Sequence, residues 1–288
     1  MTIKEEKIRA IKKLRRASGL EAPIDAEILL AHALKISREE MLAHDERVVP
    51  SFALHKFNSL ITRRAKHEPV AYLVKHKEFF GLQFAVNKHV LIPRPETELI
   101  VEEALNKLQT TGCRLAVDVG TGSGAIAIAI AKNAPNVTVI ATDISKQAIK
   151  LAERNAIMNN VDDRIVFRRD NLVSQVIRPL HLRNGAIITA NLPYLPTRIW
   201  QKAPPDVKKF EPRSALDGGK DGLKYYDELF HQIVEHNLKT IMICEIDPSQ
   251  KRSFPRLAAR HFPNAKIEIK NDLAGRPRVV VVTLPTTK

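Results

Sequence analysis

A chain of 288 residues with 44% hydrophobic and 27% charged side chains has the composition of a globular protein, and the lack of a long uncharged apolar run argues against a membrane-embedded one. Its two cysteines, Cys113 and Cys244, lie far apart in sequence, which excludes a disulfide framework and a four-cysteine zinc site; no metal is expected, and the setting expected is reducing and cytoplasmic. The formal net charge of +14 suits nucleic acid or an acidic assembly as a neighbour, and equally a well-solvated surface, because the charge is spread along the chain.

The segment from Lys4 to Arg16 is basic but carries Glu5 and Glu6 and has no apolar signal core, so it reads as a surface helix and not as an export signal. Apolar residues then recur at three- and four-residue spacings: Ile8, Ile11 and Leu14; Ala26, Leu29, Leu30, Ala33 and Leu34; Phe57, Leu60 and Ile61. Glycine is scarce there, and Pro23 and Pro50 fall between these stretches, which predicts a small helical domain over roughly the first seventy residues. In Glu78 to Val86, Gly81 separates two short apolar runs and predicts a hairpin. Pro93 and Pro95 enforce extended backbone ahead of a helix that Glu96 or Thr97 can open and that runs through Leu108.

From Arg114 onward, short apolar runs alternate with helical stretches: Leu115 to Val119, Val137 to Ala141, Arg164 to Phe167, Ala186 to Ala190 and Thr240 to Cys244, then Lys266 to Ile269 and Val279 to Thr283. The alternation predicts crossover units and a largely parallel sheet covered on both faces. Residues 270–278 leave no room for a covering helix, so the last strand is expected to be antiparallel.

The first chemical signal follows the first of these strands. Asp118-Val119-Gly120-Thr121-Gly122-Ser123-Gly124 opens a helix over Ala125 to Lys132, and its glycines let backbone approach a ligand at the free N–H groups of a helix start. Asp143, ending the next strand, stands where ribose hydroxyls would be held. The same glycines also fit a relaxed dinucleotide fingerprint. Asp118 decides between the two, because its carboxylate would repel a pyrophosphate and attract the sulfonium and ammonium of S-adenosylmethionine. Asp170, with Asn171 beside it, can reach an adenine edge or cap the turn that follows.

The second signal is Asn191-Leu192-Pro193-Tyr194 after the strand Ala186 to Ala190. In open parallel sheets, strands flanking the point where strand order reverses can face one cleft, which would bring this segment to the glycine turn. An amide or aromatic amine is a poor nucleophile because its lone pair is delocalised. Two acceptors aimed at its N–H groups, the Asn191 side-chain oxygen and the Leu192 carbonyl, would localise that lone pair. Pro193 would stiffen the turn and Tyr194 could stack on the acceptor plane.

With these residues in view, the chain resembles the release factor glutamine methyltransferases. Pro69-Val70-Ala71-Tyr72, Leu91 to Glu98, Asp118 to Ile126, Glu211 to Gly219 and Asp272-Leu273-Ala274-Gly275-Arg276 carry the resemblance. It implies a seven-stranded, Rossmann-like α/β methyltransferase domain, mostly parallel with an antiparallel last strand, behind a small N-terminal helical domain. The expected division is 1–72 for the helical domain, 73–95 for a hairpin linker and 96–288 for the methyltransferase domain. It implies S-adenosylmethionine as cofactor, class I peptide chain release factors as partners, and methylation of the glutamine amide nitrogen in their Gly-Gly-Gln motif.

By matching position, Gly120 to Gly124, Asp143, Asn171 and Asn191 would bind the methyl donor and Asn191 to Tyr194 the substrate glutamine, while Arg94 and Glu211 would order loops near the cleft. Two positions depart from the family pattern: Leu192 stands where proline is usual, and Asp247 in Glu245-Ile246-Asp247 where glycine is usual. The Asn-Leu-Pro-Tyr form is similar to that of ribosomal RNA adenine dimethyltransferases. An RNA adenine methyltransferase, and a non-catalytic binding protein held near the ribosome by its basic surface, therefore stand as alternative readings.

Overall fold

A computed structural model describes residues 1–176, 185–236 and 238–285. The chain divides into two compact units, Met1–His76 with Pro204–Phe210, and Lys77–Ala203 with Glu211–Lys288.

The first unit contains α1 (Ile3–Ser18), α2 (Ala22–Leu34), α3 (Arg38–Ala43), α4 (Ser51–Arg64) and α5 (Val70–Val74). Thr2 and Glu5 form a reciprocal capping box that fixes the start of α1, and the Ser37 hydroxyl accepts from Glu40 N–H to start α3. Leu14, Leu29, Leu30, Met41 and Phe57 are fully buried at the centre of this unit. The buried face of α1 differs from the expected one: Ile3, Glu6, Ala10 and Leu14 point inward and Ile8 is exposed. That set is itself spaced at three and four residues, and Glu6 is tolerated inside because Arg9 pairs with it at 2.6 Å.

The second unit begins with the hairpin β1 (His76–Phe79) and β2 (Leu82–Ala85). After Pro95–Thr97 come α6 (Glu98–Thr111), β3 (Leu115–Val119), α7 (Ala125–Asn133), β4 (Thr138–Asp143), α8 (Lys146–Met158), β5 (Ile165–Arg169) and β6 (Ala186–Ala190). The remaining elements are α9 (Thr197–Trp200), α10 (Pro205–Phe210, grouped with the first unit), α11 (Lys224–Glu235), β7 (Thr240–Glu245), α12 (Ser253–His261), β8 (Lys266–Asn271) and β9 (Pro277–Thr283). The seven-stranded sheet has the order β5-β4-β3-β6-β7-β9-β8, parallel except for β9, which runs antiparallel to both neighbours. The expected α/β class and antiparallel last strand are both present.

Layering explains which residues fill the core. One face of the sheet carries α11 and α12 through Tyr226, Phe230 and Phe254; the other carries α6 and α7 through Ile100, Ala104 and Ile128. The alternating Ala-Ile sequence of α7 is buried from Ala125 to Ala131, so it has no polar stripe to present. The hairpin adds Phe79 and Phe84 to this second face, and Asn155 of α8 ties it down by accepting from Ala85 N–H and donating to Ala85 C=O. β3 lies between β4 and β6, so successive crossovers leave it in opposite directions. The crevice beyond the ends of β3 and β6 is therefore the switch point at which such sheets hold ligands.

Candidate active site

A cavity of about 310 Å3 opens at that switch point. The glycine turn after β3 forms one wall and Asn191, Leu192 and Pro193 after β6 form another, so the two signals read from the sequence meet as expected. Gly120, Thr121, Gly122, Ser123, Asp143 and Asn171 line the cavity, as do Asp170 and Arg94. Asp118, Gly124, Tyr194 and Glu211 do not.

On the donor side the backbone of the turn is pinned to β4. Gly120 and Thr121 N–H both donate to Thr142 C=O (2.9 and 2.8 Å), and Gly122 N–H donates to Asp143 Oδ2 at 2.9 Å. Ser145 N–H donates to the other Asp143 oxygen at 2.8 Å. Each oxygen keeps acceptor capacity beyond these single bonds, which is what ribose hydroxyls require. Burial raises the Asp143 pKa, and the two N–H groups oppose that shift. A nucleoside-bearing donor fits this wall: backbone approaches without side chains, and a carboxylate waits at the strand end.

Asp118 lies behind the turn. Its oxygens accept from the Thr121 hydroxyl (2.7 Å) and the Thr189 hydroxyl (2.9 Å), joining the turn to β6, and burial pushes its carboxyl up to about 6. Gly124 also lies behind, against Ile128 and Ala152. Asp170 accepts from the Ser174 hydroxyl (2.7 Å) and from Gln175 and Val176 N–H (2.8 and 3.1 Å), so the capping bonds left open by the sequence are present at a residue that also faces the cavity. Asn171 Nδ2 donates to Glu228 at 2.6 Å.

On the acceptor side, Asn191 Nδ2 donates to Thr97 Oγ1 at 3.1 Å. Leu192 is buried, its methyl 3.0 Å from where a Cβ on Gly120 would stand, so the two walls touch. Tyr194 is turned away from the cavity: its hydroxyl donates to Glu245 Oε1 at 2.8 Å, and burial together with that carboxylate raises its pKa well above the usual phenol value. The stacking expected of this ring on an acceptor is thus replaced in the structure by a bond that anchors the loop from behind. Glu211 is buried, accepting from Ile92 N–H at 3.3 Å and pairing with Arg94, which ties the proline segment to the segment after α10.

Several supporting residues went unread in the sequence. Tyr226 of α11 places its hydroxyl between the ends of β6 and β7, donating to Glu245 C=O (2.5 Å) and accepting from Leu192 N–H (3.4 Å). Gln250 Nε2 donates to Tyr194 C=O (2.9 Å) and Asp221 C=O (3.1 Å), while its Oε1 accepts from Asp247 N–H (2.9 Å). Asp247 in turn caps the turn at Pro248–Gln250 by accepting from Ser249 N–H. Gly218 and Gly222 pack against the same loop so closely that a Cβ would fall 2.3 Å from Pro193 O and 2.0 Å from Tyr194 O, respectively.

The PrmC N-terminal domain family matches residues 8–74, and the ribosomal protein L11 methyltransferase (PrmA) family matches residues 94–193. The release factor glutamine methyltransferase of Moorella thermoacetica is 39% identical over 280 residues, covering 96% of this chain and 97% of that one. The one from Koribacter versatilis is 34% identical over 293 residues and covers both chains completely. Among solved structures, the hMettl16 catalytic domain in complex with the MAT2A 3'UTR hairpin 6 superposes with a TM-score of 0.55 at 16% identity, covering 78% of this chain and 84% of that one, which speaks for the fold alone.

Sheet order, glycine turn and homology together define an S-adenosylmethionine-dependent methyltransferase. Within that class, identity at this level over the whole chain settles the membership: the chain belongs to the release factor glutamine methyltransferase family.

Proposed function

We propose that the protein methylates the side-chain amide nitrogen of the glutamine in the Gly-Gly-Gln motif of class I peptide chain release factors. The observation that carries the reading is the direction of Asn191: with Nδ2 given to Thr97, the side-chain oxygen is the atom left to face an acceptor in the cavity. S-adenosylmethionine, when bound, supplies an electrophilic methyl group on a sulfonium. The glycine turn and Asp143 would hold its nucleoside part, with Asp170 and Asn171 at the far wall. Asn191 Oδ1 and the Leu192 carbonyl accept the two protons of the substrate amide, draw its lone pair out of conjugation and orient it for displacement. Pro193 stiffens this segment. Tyr194 contributes through the loop and Arg94 and Glu211 through the proline segment. No strong base is needed, since the proton is lost after the nitrogen becomes cationic.

Residues 1–72 would form the helical domain that helps hold the release factor, 73–95 the linker and 96–288 the methyltransferase domain. Among the described residues no helix is long and apolar enough to cross a membrane, and we place the protein in the cytoplasm, near ribosomes to which its positive charge would draw it.

The test is a transfer assay with labelled donor, run with a release factor and with ribosomal RNA as separate acceptors. One methyl group on the Gly-Gly-Gln glutamine, lost in Asn191→Ala with the fold retained, is the expected result. Label in RNA alone would overturn the substrate, and an absence of donor binding by calorimetry would leave only the non-catalytic reading.

A further inference from the structure

We infer that Thr97 and Glu245 are positioning residues whose hydrogen bonds set which end of the Asn191 carboxamide faces the acceptor. The inference rests on the reading of Asn191 given above and adds what controls it.

A carboxamide is nearly symmetrical in shape, so packing alone distinguishes its oxygen from its NH2 group poorly; the partner it finds decides. Here the partner is the hydroxyl of Thr97, a buried residue just ahead of α6. Thr97 sits at the N-terminal cap of that helix yet makes no side-chain cap bond, so its oxygen is committed to Asn191 and not to the helix. A hydroxyl that accepts from Asn191 still has its own proton to donate. The neighbouring carboxylate of Glu245, at the end of β7 and 1% exposed, is the group placed to take that proton while it is ionised.

Glu245 Oε1 already accepts from Tyr194, and Oε2 is buried and makes no hydrogen bond among the described residues, so it is the acceptor open to the Thr97 proton. The direction of every proton in this relay follows from one charge: carboxylate accepts from Thr97, Thr97 accepts from Asn191, and Asn191 keeps its oxygen for the cavity.

A neutral group at position 245 reverses the relay. Protonated, or replaced by glutamine, it can donate to Thr97 Oγ1. The Thr97 proton then seeks Asn191 Oδ1, and the NH2 group turns toward the acceptor, where it repels the N–H groups it should accept from. Burial raises the Glu245 pKa, with the Thr97 and Tyr194 hydroxyls and then Arg278 of β9 opposing that shift and Glu96 adding to it. Tyr226 of α11, Cys244 of β7 and Asp247 also stand among the titratable groups around the Tyr194–Glu245 pair. Glu245 therefore takes up a proton above the ordinary carboxylate range, and activity should fall on the acid side as it does.

The experiment compares Glu245→Gln, Thr97→Val, Thr97→Ser and Asn191→Ala in kcat for release-factor methylation from pH 5 to 8, with donor Kd by calorimetry. Glu245→Gln and Thr97→Val are expected to lower kcat on the order of a hundredfold, as for a lost polar partner at a reacting centre. Donor Kd should stay within about twofold, since the donor wall is untouched, and Thr97→Ser should restore most of the activity. The acid limb of wild-type kcat should be absent in Glu245→Gln. Wild-type kcat and an unchanged pH profile in both Glu245→Gln and Thr97→Val would overturn the inference while Asn191→Ala remained inactive; an active Asn191→Ala would overturn the reading on which it rests. If Glu245→Gln does not fold, as judged by circular dichroism, the Thr97→Val and Thr97→Ser pair decides alone: equal activity in the two overturns the relay.

Discussion

The two walls of the cavity are held in different ways. The donor turn is held mainly by its chain neighbours in the sheet: backbone N–H groups of residues 120–122 meet Thr142 and Asp143 one strand away. The acceptor loop is held from behind by side chains and backbone that come from widely separated parts of the chain, namely Thr97, Tyr226, Glu245, Gln250 and the glycines at 218 and 222. A backbone-pinned turn can be rebuilt by any sequence with glycine in the right places, whereas the loop depends on the arrival of several distant residues at once. The donor wall should therefore tolerate single substitutions better than the acceptor wall.

The sharpest way to break that comparison is a matched pair of glycine changes. Gly222→Ala forces a Cβ to within 2.0 Å of Tyr194 O at a residue with φ +77°, a backbone clash that no side-chain movement relieves. We expect a loss of more than about 4 kcal/mol or failure to fold, read by urea denaturation. Gly122→Ala on the donor turn meets nothing closer than Gly120 O at 4.0 Å, and only its φ of +56° is strained, so about 1 kcal/mol is expected. Equal costs for the two would erase the distinction between the walls.

Next in size is Gln250→Leu. It keeps the volume but leaves Tyr194 C=O, Asp221 C=O and Asp247 N–H without the partner that joins them. About 3 kcal/mol should be lost, with turnover reduced and donor Kd unchanged. A donor Kd that weakened in step with kcat would mean that the loop also shapes the donor wall.

The same contrast explains what could be read from the sequence. The sheet was legible because each strand is an apolar run with its helix close behind, and the glycine turn because its ligand surface is its own backbone. The apolar pattern of β4 stops at Ala141, and the sheet pairing continues through Thr142↔Arg168 to Asp143↔Arg169, the strand end at which the sequence already placed that carboxylate. Thr97 reads in sequence as a helix opener, since nothing local shows that its hydroxyl will meet Asn191 across 94 residues. Tyr194 reads as a free aromatic for the same reason: its partner, Glu245, is 51 residues on. Asp118 stood out by charge, but a charge in sequence does not say whether ligand or two threonine hydroxyls will meet it.

A third test probes the cost hidden behind the donor turn. With its folded-state pKa near 6 and an ordinary value of 3.8, Asp118 binds a proton more tightly folded than unfolded. The penalty for its buried charge is fully present above pH 6 and is relieved as pH falls toward 4, so stability from this group rises on acidification. Relative to Asp118→Asn, the wild type should gain on the order of 2–3 kcal/mol between pH 7.5 and pH 4, measured by denaturation at each pH. A difference independent of pH would mean that the two threonine hydroxyls cancel the burial and that the donor wall carries no such cost.

The smallest effect is expected at Leu192, the position where the resemblance led to an expectation of proline. Leu192→Pro removes an N–H whose bond to Tyr226 is long, 3.4 Å, and trims a buried side chain by about one methyl group against Gly120. Both losses are small, and the stiffer backbone of proline offsets part of them, so stability should change by about 1 kcal/mol or less. The carbonyl proposed to accept from the substrate is kept, and so is Asn191. Turnover on release factor should therefore stay within about threefold of wild type, a barrier change below about 1 kcal/mol. A large change confined to one acceptor, release factor or RNA, would mean that residue 192 reads the substrate itself, and that the acceptor wall is more than a loop held still by its distant partners.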